Sequence, residues 1–386
     1  MGTRPVSDAL TFTGKERLSL ADFTALLGAA GPSAEDSWHA RLVVLDWPAG
    51  SGDLHAACAP RYVRVVDTIS AQLADLAMAR LPSPDAASDR QSFVEDRLRD
   101  TGDAARYGCW AWYPWLRTIV HVLPPDEFFE VITNRNQDKL TREEQHRLRT
   151  KRVGVVGLSV GGEAAVTIAQ EHLAGEMVLA DFDGLDLSNL NRLGAGVDEL
   201  SVNKAVIVAR RIARLDPYLA LTLYARGVTE SNAHDFLRGL DLLVEECDAL
   251  PLKLSLRHLA REQRLDVIFA GDERGFLSVE PYRTHPDLPP FHGLVTHAQR
   301  SRASYPTALA FLRDLTVWLG GWDRISERSR ESLVRVGSDL AGYPQLASEA
   351  RFAAGQLGHV ARRLLLDEPL PPSWQHLDLD TLVPLP

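Results

Sequence analysis

One segment near the middle of the chain, Val153 to Arg192, constrains the fold more than any other. It reads VGVVGLSVGGEAAVTIAQEHLAGEMVLADFDGLDLSNLNR. An apolar run is followed by a glycine-containing turn, a helical pattern and a second apolar run that ends at Asp181. This order predicts two parallel strands joined by a helix, the unit from which nucleotide-binding sheets are built.

Composition limits the classes of partner and compartment. A net charge of -10 argues against broad binding to nucleic-acid backbones, so we expect no DNA partner. The three cysteines are scattered without a CxxC pair, which predicts neither a disulfide framework nor a structural zinc site. The N-terminus lacks the apolar run of a signal peptide, and no stretch approaches the length of a membrane span. We therefore expect a cytoplasmic protein without membrane contact.

Residues 1–130 mix strand-like and helical patterns and predict an N-terminal α+β domain of unknown role. The predicted elements are strands over 41–47 and 118–123 and a helix over 69–81. The polar stretch 82–106 predicts a mobile loop or a solvated helix. The aromatic run 108–115, GCWAWYPW, is interpreted as domain core, since such rings bury large areas.

From residue 131 to 284 apolar runs alternate with helical patterns, which is typical of a parallel sheet covered on both faces. The predicted strands are Val153–Val156, Glu176–Asp181, Leu221–Tyr224, Asp241–Glu245, Asp266–Ala270 and Gly275–Glu280, and the predicted helices are Glu163–His172, Asn203–Leu215, Thr229–Arg238 and Pro251–Glu262. Residues 285–386 predict a mainly helical extension. Its predicted helices are Thr307–Leu319, Glu327–Leu340 and Gln345–Leu366, ahead of a proline-rich tail. The expected fold class is α/β, with a Rossmann-like, doubly wound, mostly parallel sheet.

Glycines mark the turn between the first strand and helix of this region. Gly157, Gly161 and Gly162 lack a Cβ, which lets backbone amides approach a phosphate at the positive end of a helix. The GxGxxG pattern is incomplete because Ser159 occupies its second glycine position, so a plain tight turn is the alternative. Asp181 ends the next strand, where a carboxylate can accept hydrogen bonds from a ribose. Its own alternative is an ordinary strand-end or helix-capping aspartate.

A polar cluster after the second strand distinguishes the candidate nucleotides. Ser188 to Arg192 reads SNLNR, and Lys204 begins the next predicted helix. Two cations and two amides beside a nucleotide suit a triphosphate better than nicotinamide, since Arg192 can bind phosphate oxygens bidentately and Lys204 supplies a point charge. A lysine at a helix start is unfavourable to the macrodipole, which favours a bound anion nearby.

Acidic residues follow the predicted strand that ends at Glu245. Glu245, Glu246 and Asp248 stand where the carboxyl ends of parallel strands face the ligand crevice. Asp248 is the candidate ligand of Mg²⁺, which proteins usually hold with one or two carboxylates plus phosphate oxygens. Glu245 and Glu246 are interpreted as supporting or surface charges.

Together these motifs resemble the ThiF/MoeB family, adenylyltransferases related to ubiquitin-activating enzymes. The matching elements are Asn134–Gln137 (NRNQ), VGVVGLSVGG, LADFDGLDLSNLNR, Asn203–Ala205 (NKA) and VEECDAL. The resemblance covers residues 134–282, and DFDGLDLSNLNR is its most specific part.

The resemblance implies an ATP site and assigns roles within it. It implies Asp181 on the ribose with Asp183 beside it, Asn189, Arg192 and Lys204 on the phosphates, and Asp248 on Mg²⁺. It also implies a homodimer in which Arg135 reaches the partner subunit's nucleotide as an arginine finger. The reaction it implies is attack of a substrate carboxylate on the α-phosphorus of ATP. That carboxylate would belong to a peptide, a small ubiquitin-like protein, or a small-molecule or RNA-linked acid.

Several positions depart from the family pattern. Ser159 and Val160 stand in a loop that is usually richer in glycine, and Ala249 replaces the asparagine that commonly follows the magnesium aspartate. No cysteine occurs after Cys247, so the loop that carries a thioester cysteine in some relatives has none here. Cys247 itself is interpreted as a buried, inert side chain. These features predict an acyl-adenylate that is released or used directly.

Two other functions remain open at the level of sequence. A nicotinamide-dependent oxidoreductase would use the same fold but is disfavoured by the SNLNR cluster and Lys204. A degenerate nucleotide-binding scaffold is favoured by Ser159 and Ala249. The histidines at positions 285, 292 and 297 match no metal-ligand spacing and are interpreted as polar loop residues.

Overall fold

The structure is a computed structural model that describes residues 10–12, 15–28, 37–45, 51–271, 273–295, 307 and 316–381. Two compact units are present. One comprises Met1–Thr11, His146–Val208 and Leu221–Pro386, and the other Phe12–Gln145 and Ala209–Ala220. The predicted three-part division at residues 130 and 284 stays a prediction. In the structure, the chain after residue 284 belongs to the same unit as the strands predicted between residues 153 and 280.

The described residues form strands and helices that we number in chain order. The strands are β1 Leu10–Phe12, β2 Lys15–Leu18, β3 Arg41–Leu45, β4 Arg64–Val66, β5 Cys109–Tyr113, β6 Thr118–Val122, β7 Arg152–Val156, β8 Glu176–Ala180, β9 Ala220–Tyr224, β10 Leu242–Glu245, β11 Asp266–Ala270, β12 Phe276–Glu280 and β13 Ser373–His376. The helices are α1 Leu20–Gly28, α2 Ser51–Cys58, α3 Ile69–Arg80, α4 Ala87–Asp100, α5 Pro125–Ile132, α6 Arg142–Leu148, α7 Val160–Gln170, α8 Lys204–Leu215, α9 Ala233–Leu237, α10 Leu250–Glu262, α11 Glu327–Arg335 and α12 Ala347–Leu365.

The first unit contains an eight-stranded sheet in the order β1-β9-β8-β7-β10-β11-β12-β13. Strands β8, β7, β10 and β11 pair in parallel, whereas β12 and β13 are added antiparallel. The chain leaves β7 toward β8 on one side and later returns to form β10 on the other. The carboxyl ends of β7 and β10 are therefore neighbours at a topological switch point, where open α/β sheets bind ligands.

Apolar runs account for the central strands of this sheet. Val153 and Val155 of β7 and Leu242 and Val244 of β10 have no measurable exposure, as expected for strands covered on both faces. Helix α7 covers one face, and α12 packs against it and over β10 and β11. The α/β fold class and the six central strands predicted from sequence are confirmed, with each strand end within one residue of its predicted position.

The second unit contains a five-stranded sheet in the order β2-β3-β5-β6-β4. Every residue of β5 is buried, and Trp110 and Trp112 lie in an apolar core with residues of α1 and α2. The interpretation of the aromatic run as core is confirmed. Helix α4 has no buried residue, so the polar stretch around it forms the solvated helix that was one of two expectations.

In the C-terminal region one predicted helix is shorter than expected, and one strand was not predicted. The helix predicted over Glu327–Leu340 ends at Arg335, because Gly337 adopts a left-handed φ of 84° and the chain turns there. Residues Ser373–His376 form an edge strand on β12 inside the predicted proline-rich tail. Their sequence, SWQH, lacks the alternation that would have indicated a strand.

The helix predicted over Thr307–Leu319 lies mostly outside the described residues, which show a 3₁₀ turn at Thr316–Leu319. Within the part of the chain that the structure describes, no helix combines the length and apolar character needed to cross a bilayer.

Two glycines of α12 test its packing against α7. An added Cβ at Gly355 would meet nothing within 4 Å, whereas at Gly358 it would lie 2.9 Å from Thr167 Cγ2. We expect Gly355→Ala to raise the free energy of unfolding by about 1 kcal/mol through helix propensity. Gly358→Ala should leave the free energy of unfolding unchanged or lower it, because the β-branched Thr167 cannot easily move away from the new Cβ. Chemical denaturation measures both, and equal gains would contradict the close helix contact.

Candidate active site

The turn after β7 is shaped by a close approach between two loops. Gly157 has a φ of 82°, and an added Cβ would lie 2.4 Å from the carbonyl oxygen of Glu246, in the turn after β10. No side chain fits there without moving backbone. This glycine therefore allows the two turns at the switch point to touch.

Asp181 holds the glycine turn in place. Its carboxylate accepts hydrogen bonds from the Leu158 N–H at 2.7 Å and from the Asp183 N–H at 2.8 Å. Burial raises the pKa of Asp181 above its ordinary value, although these N–H groups and Lys204 oppose the shift. The side chain lines the cavity described below, so it can also meet a ligand. The sequence-based alternative of a strand-end aspartate therefore describes part of its role.

Helix α7 begins at Val160 without a side-chain cap. Ser159 occupies the N-cap position, but its hydroxyl accepts no hydrogen bond from the first turn. The Ser159 Oγ atom is buried and has no hydrogen-bond partner among the described residues. An uncapped helix N-terminus beside an unsatisfied hydroxyl is a setting that favours a bound anion.

Lys204 lies at the start of α8 and faces the same space. Its Nζ atom is 3.1 Å from an Asp183 carboxylate oxygen, and its backbone N–H donates to the Asp183 carbonyl at 2.8 Å. The Lys204 side chain is 11% exposed, compared with 51% for Asp183. Asp183 thus compensates the charge of Lys204 while its exposed carboxylate remains open to solvent.

A buried charge cluster supports the turn after β10. One Glu245 oxygen accepts the Cys247 N–H at 2.9 Å, and the other pairs with Lys253 at 3.2 Å and with Arg257. Arg257 also pairs with Glu280 at 2.6 Å. Burial alone would raise the pKa of Glu245, but Lys253 and Arg257 outweigh it and lower the pKa to about 2. Glu245 is therefore a buried structural anion, so of the two expectations for it the supporting charge is confirmed and the surface charge is wrong.

Asp248 projects from this supported turn. It is exposed, and among the described residues its carboxylate has no hydrogen-bond or ion-pair partner. Glu246, two residues earlier, accepts the Ala270 N–H at 2.8 Å. The two acids thus differ: Glu246 ties the turn to β11, and Asp248 is left available to a ligand.

These turns line a cavity of about 340 Å³, within the size range of small-molecule sites. Of the predicted site residues, Gly157, Asp181, Asp183, Lys204 and Asp248 line it together. Its wall also includes apolar side chains that sequence reasoning had not singled out. These are Val156, Phe182, Val228 and Leu252. Phe182 is 72% exposed, which leaves an aromatic face at the cavity wall.

Other predicted residues lie outside the cavity lining. Gly161 and Gly162 belong to α7, where added Cβ atoms would meet Glu246 and Val208 side chains, so they permit close packing. Asn189 is buried in a 3₁₀ turn, Leu187–Asn189, and its side-chain oxygen accepts the Asp186 N–H at 3.1 Å. Arg135 is exposed in a 3₁₀ turn of the other compact unit.

Arg192 follows the Asn189 turn. Its Nη1 atom donates to the Ser188 carbonyl at 3.3 Å and to the Asn191 side chain at 2.8 Å. The Nε atom is buried and lacks a hydrogen-bond partner within the described ranges. Arg192 thus has a buried, unsatisfied donor, but it does not line the cavity.

The remaining nucleophile and histidine candidates have structural surroundings. Burial and the neighbouring Glu245 raise the pKa of the Cys247 thiol, which disfavours the reactive thiolate. His292 contacts Ser278 at 3.2 Å, and His285 is exposed beside Thr284. His297 lies outside the described residues.

These observations fit a nucleotide with magnesium. The uncapped α7 and the Ser159 hydroxyl suit phosphate oxygens, and Lys204 adds a cation. The exposed Asp248 carboxylate suits Mg²⁺ bound jointly with phosphate. The apolar wall with Phe182 suits the flat face of a base.

The Glu245 cluster should contribute strongly to stability. We expect Glu245→Gln to lower the free energy of unfolding by about 3–5 kcal/mol at pH 7, because Lys253 would remain buried without its anion and Arg257 would keep only Glu280. Since the folded pKa is about 2 and the ordinary value is 4.5, this contribution is present above pH 4.5 and is lost as the pH falls. The difference in free energy of unfolding between the wild-type protein and Glu245→Gln should become smaller below pH 4.5. Asp235→Asn, at an exposed ion pair, is the matched control, and an equal loss in both would contradict the role of burial.

Comparison with known proteins gives the family of the central region. Residues 133–301 match the ThiF family. The chain is 38% identical to the uncharacterized protein MT1398 of Mycobacterium tuberculosis (strain CDC 1551 / Oshkosh) over 308 residues, 80% of this chain and 41% of that protein. It is 29% identical to the SAMP-activating enzyme E1 of Haloferax volcanii over 34% of this chain and 49% of that enzyme.

A third relative is the sulfur carrier protein adenylyltransferase of Thermus thermophilus, 30% identical over 27% of this chain and 40% of that protein. The chain thus spans between 40% and 49% of the length of these relatives. The resemblance predicted from the sequence is confirmed: residues 133–301 match the ThiF family.

Proposed function

We propose that the chain is an ATP-dependent adenylyltransferase that activates a substrate carboxylate as an acyl-adenylate. The observation that carries this proposal is the cavity at the β7–β10 switch point. There an uncapped helix N-terminus, a buried lysine and an exposed aspartate face one space. The ThiF family match and the adenylyltransferase among the relatives support the same chemistry.

The nucleotide would be held by groups on three elements. Asp181 would accept hydrogen bonds from the ribose, and the α7 N-terminus with Ser159 would face the phosphates. Lys204, Asn189 and Arg192 would complete the phosphate contacts. Mg²⁺, held by Asp248 and phosphate oxygens, would neutralise charge on the triphosphate.

The reaction needs positioning and cations but no protein nucleophile. The substrate carboxylate forms a bond to the α-phosphorus, and the bond from that phosphorus to pyrophosphate breaks. Lys204 and Arg192 would stabilise the negative charge that develops on the departing pyrophosphate. The products are an acyl-adenylate and pyrophosphate.

We further propose that no thioester follows. The chain has no cysteine after Cys247, whose thiol has a raised pKa next to Glu245. The acyl-adenylate would then react directly with an acceptor nucleophile. The carboxylate is proposed to be that of a peptide, a small ubiquitin-like protein or a small acid.

Exchange of labelled pyrophosphate into ATP, dependent on an added carboxylate substrate, tests the reaction. We expect exchange in the wild-type protein, and at least about a hundredfold loss in Lys204→Ala, Arg192→Ala and Asp248→Ala, since each removes charge stabilisation from the transition state. Asp235→Asn, an exposed substitution away from the cavity, should keep the wild-type rate. All variants should retain wild-type unfolding temperatures within a few degrees.

Wild-type exchange rates in Arg192→Ala and Asp248→Ala would refute the proposed site. Absence of both ATP binding and exchange in the wild-type protein would instead support a nucleotide-domain scaffold. Hydride transfer from a nicotinamide cofactor without exchange would support the oxidoreductase alternative.

Arg135 tests the proposed homodimer. It is exposed and has no acidic partner among the described residues, as expected for an arginine that acts on another subunit. Arg135→Ala and Lys204→Ala should each be inactive alone. Mixed in equal amounts, they should recover about a quarter of wild-type exchange, because half of the dimers then hold one intact site. No recovery upon subunit exchange would show that Arg135 does not act in trans.

A further inference from the structure

We propose that Arg351 of the C-terminal helix α12 is a positioning residue for the nucleotide site. It would hold the loop that carries Asn189 and Arg192 in its working position through the buried Glu163 of α7. This inference rests on the proposed function for its catalytic consequence, but the contacts that carry it are independent of any ligand.

Glu163 connects the glycine helix with the loop. It lies in the first turn of α7 and is 5% exposed. One carboxylate oxygen accepts the Gly194 N–H at 2.8 Å, and the other is 2.9 Å from Nη1 of Arg351. Loss of a paired cation raises the cost of keeping a carboxylate charge buried. Arg351 therefore favours the state in which Glu163 holds the loop.

Arg351 also contacts the loop directly. The same Nη1 atom donates to the carbonyl oxygen of Arg192 at 3.2 Å. The side-chain amide of Asn191 donates to the Gln345 carbonyl, just before α12, at 2.7 Å. Residues 191, 192 and 194 are thus each tied, directly or through Glu163, to the segment 345–351.

The orientation of Arg192 depends on these ties. Its guanidinium donates only within its own turn, to Ser188 and Asn191, and its Nε has no partner among the described residues. The side chain therefore follows the backbone of the loop. Small displacements of a charge-stabilising group have large effects on reaction rate. Loss of the Arg351 contact should therefore reduce the contribution of Arg192.

Helix α12 offers a matched control for this contact. Arg362 pairs with Glu171 at 2.9 Å, which also joins α12 to α7, but at the end of α7 away from the loop. Arg351 is 52% exposed and Arg362 25% exposed, so neither substitution removes a fully buried cation, although Glu163 is 5% exposed and Glu171 36%. Any effect of losing an α12–α7 ion pair in general should appear in both variants.

The experiment compares Arg351→Ala with Arg362→Ala in the full-length chain. Amide hydrogen exchange of residues 188–194, measured without nucleotide, should increase in Arg351→Ala and stay at the wild-type level in Arg362→Ala. In pyrophosphate exchange, Arg351→Ala should raise the KM for ATP or lower kcat by about tenfold or more, with Arg362→Ala unchanged. Arg351→Lys keeps a cation within reach of Glu163. It should restore part of the protection of residues 188–194 and part of the ATP kinetics.

Glu163→Gln tests whether Arg351 acts on the loop through Glu163. It keeps an acceptor for Gly194 but loses the charge that attracts Arg351. If Arg351 acts through Glu163, the effects of Glu163→Gln and Arg351→Ala should be clearly less than additive in the double variant. Additive effects would show that Arg351 does not act through Glu163.

Failure of this inference can be told apart from failure of the proposed function. If the wild-type protein shows no exchange of pyrophosphate, the proposed reaction fails, while hydrogen exchange still reports on the loop. If loop exchange is equal in the Arg351 and Arg362 variants, Arg351 does not hold the loop. If the loop loosens but ATP kinetics stay at wild type, the loop is held by Arg351 without a positioning role.

Discussion

Buried carboxylates that accept backbone N–H groups hold the loops of this site. Asp181 holds the turn after β7 through Leu158, Glu245 holds the turn after β10 through Cys247, and Glu163 holds the Arg192 loop through Gly194. Each carboxylate is less than 10% exposed, and a buried charge must be satisfied fully to be tolerated. The loops therefore have one favoured arrangement, which is the condition for aligning charged groups around a ligand.

Strand order decides where these loops meet. Strands are added on one side of β7 and later on the other, so the turns after the parallel strands β7 and β10 lie side by side. Gly157 allows the backbones of these two turns to touch. The cavity that results is lined by Asp181 and Asp183 after β8, by Asp248 after β10, by Lys204 of α8 and by Ser159 at the uncapped start of α7. The C-terminal chain completes the same unit, since α12 covers α7 and β13 extends the sheet. The site is thus supported by residues that lie outside the ThiF family match in sequence.

Much of this arrangement could be predicted from the sequence, because apolar runs and glycine turns determine parallel strands and their carboxyl ends. The residues Gly157, Asp181, Lys204 and Asp248 were found this way, and the structure places them around one cavity. The supporting partners were not found. Lys253 and Arg257 lie one helical turn apart on α10, a spacing that could have indicated a shared buried acid. No local sequence pattern indicates the role of Arg351, because its contact with Glu163 joins residues 188 positions apart and depends on how α12 packs.

We propose that the β7–β10 cavity binds ATP with its phosphates at the start of α7. A crystal structure of the protein with α,β-methylene ATP and Mg²⁺ would show the position of the nucleotide. We expect the phosphates beside Ser159 and Lys204, the metal within coordination distance of Asp248, and the ribose at Asp181. A nucleotide bound elsewhere on the chain, or one in this cavity with its phosphates directed away from α7 and Lys204, would contradict it.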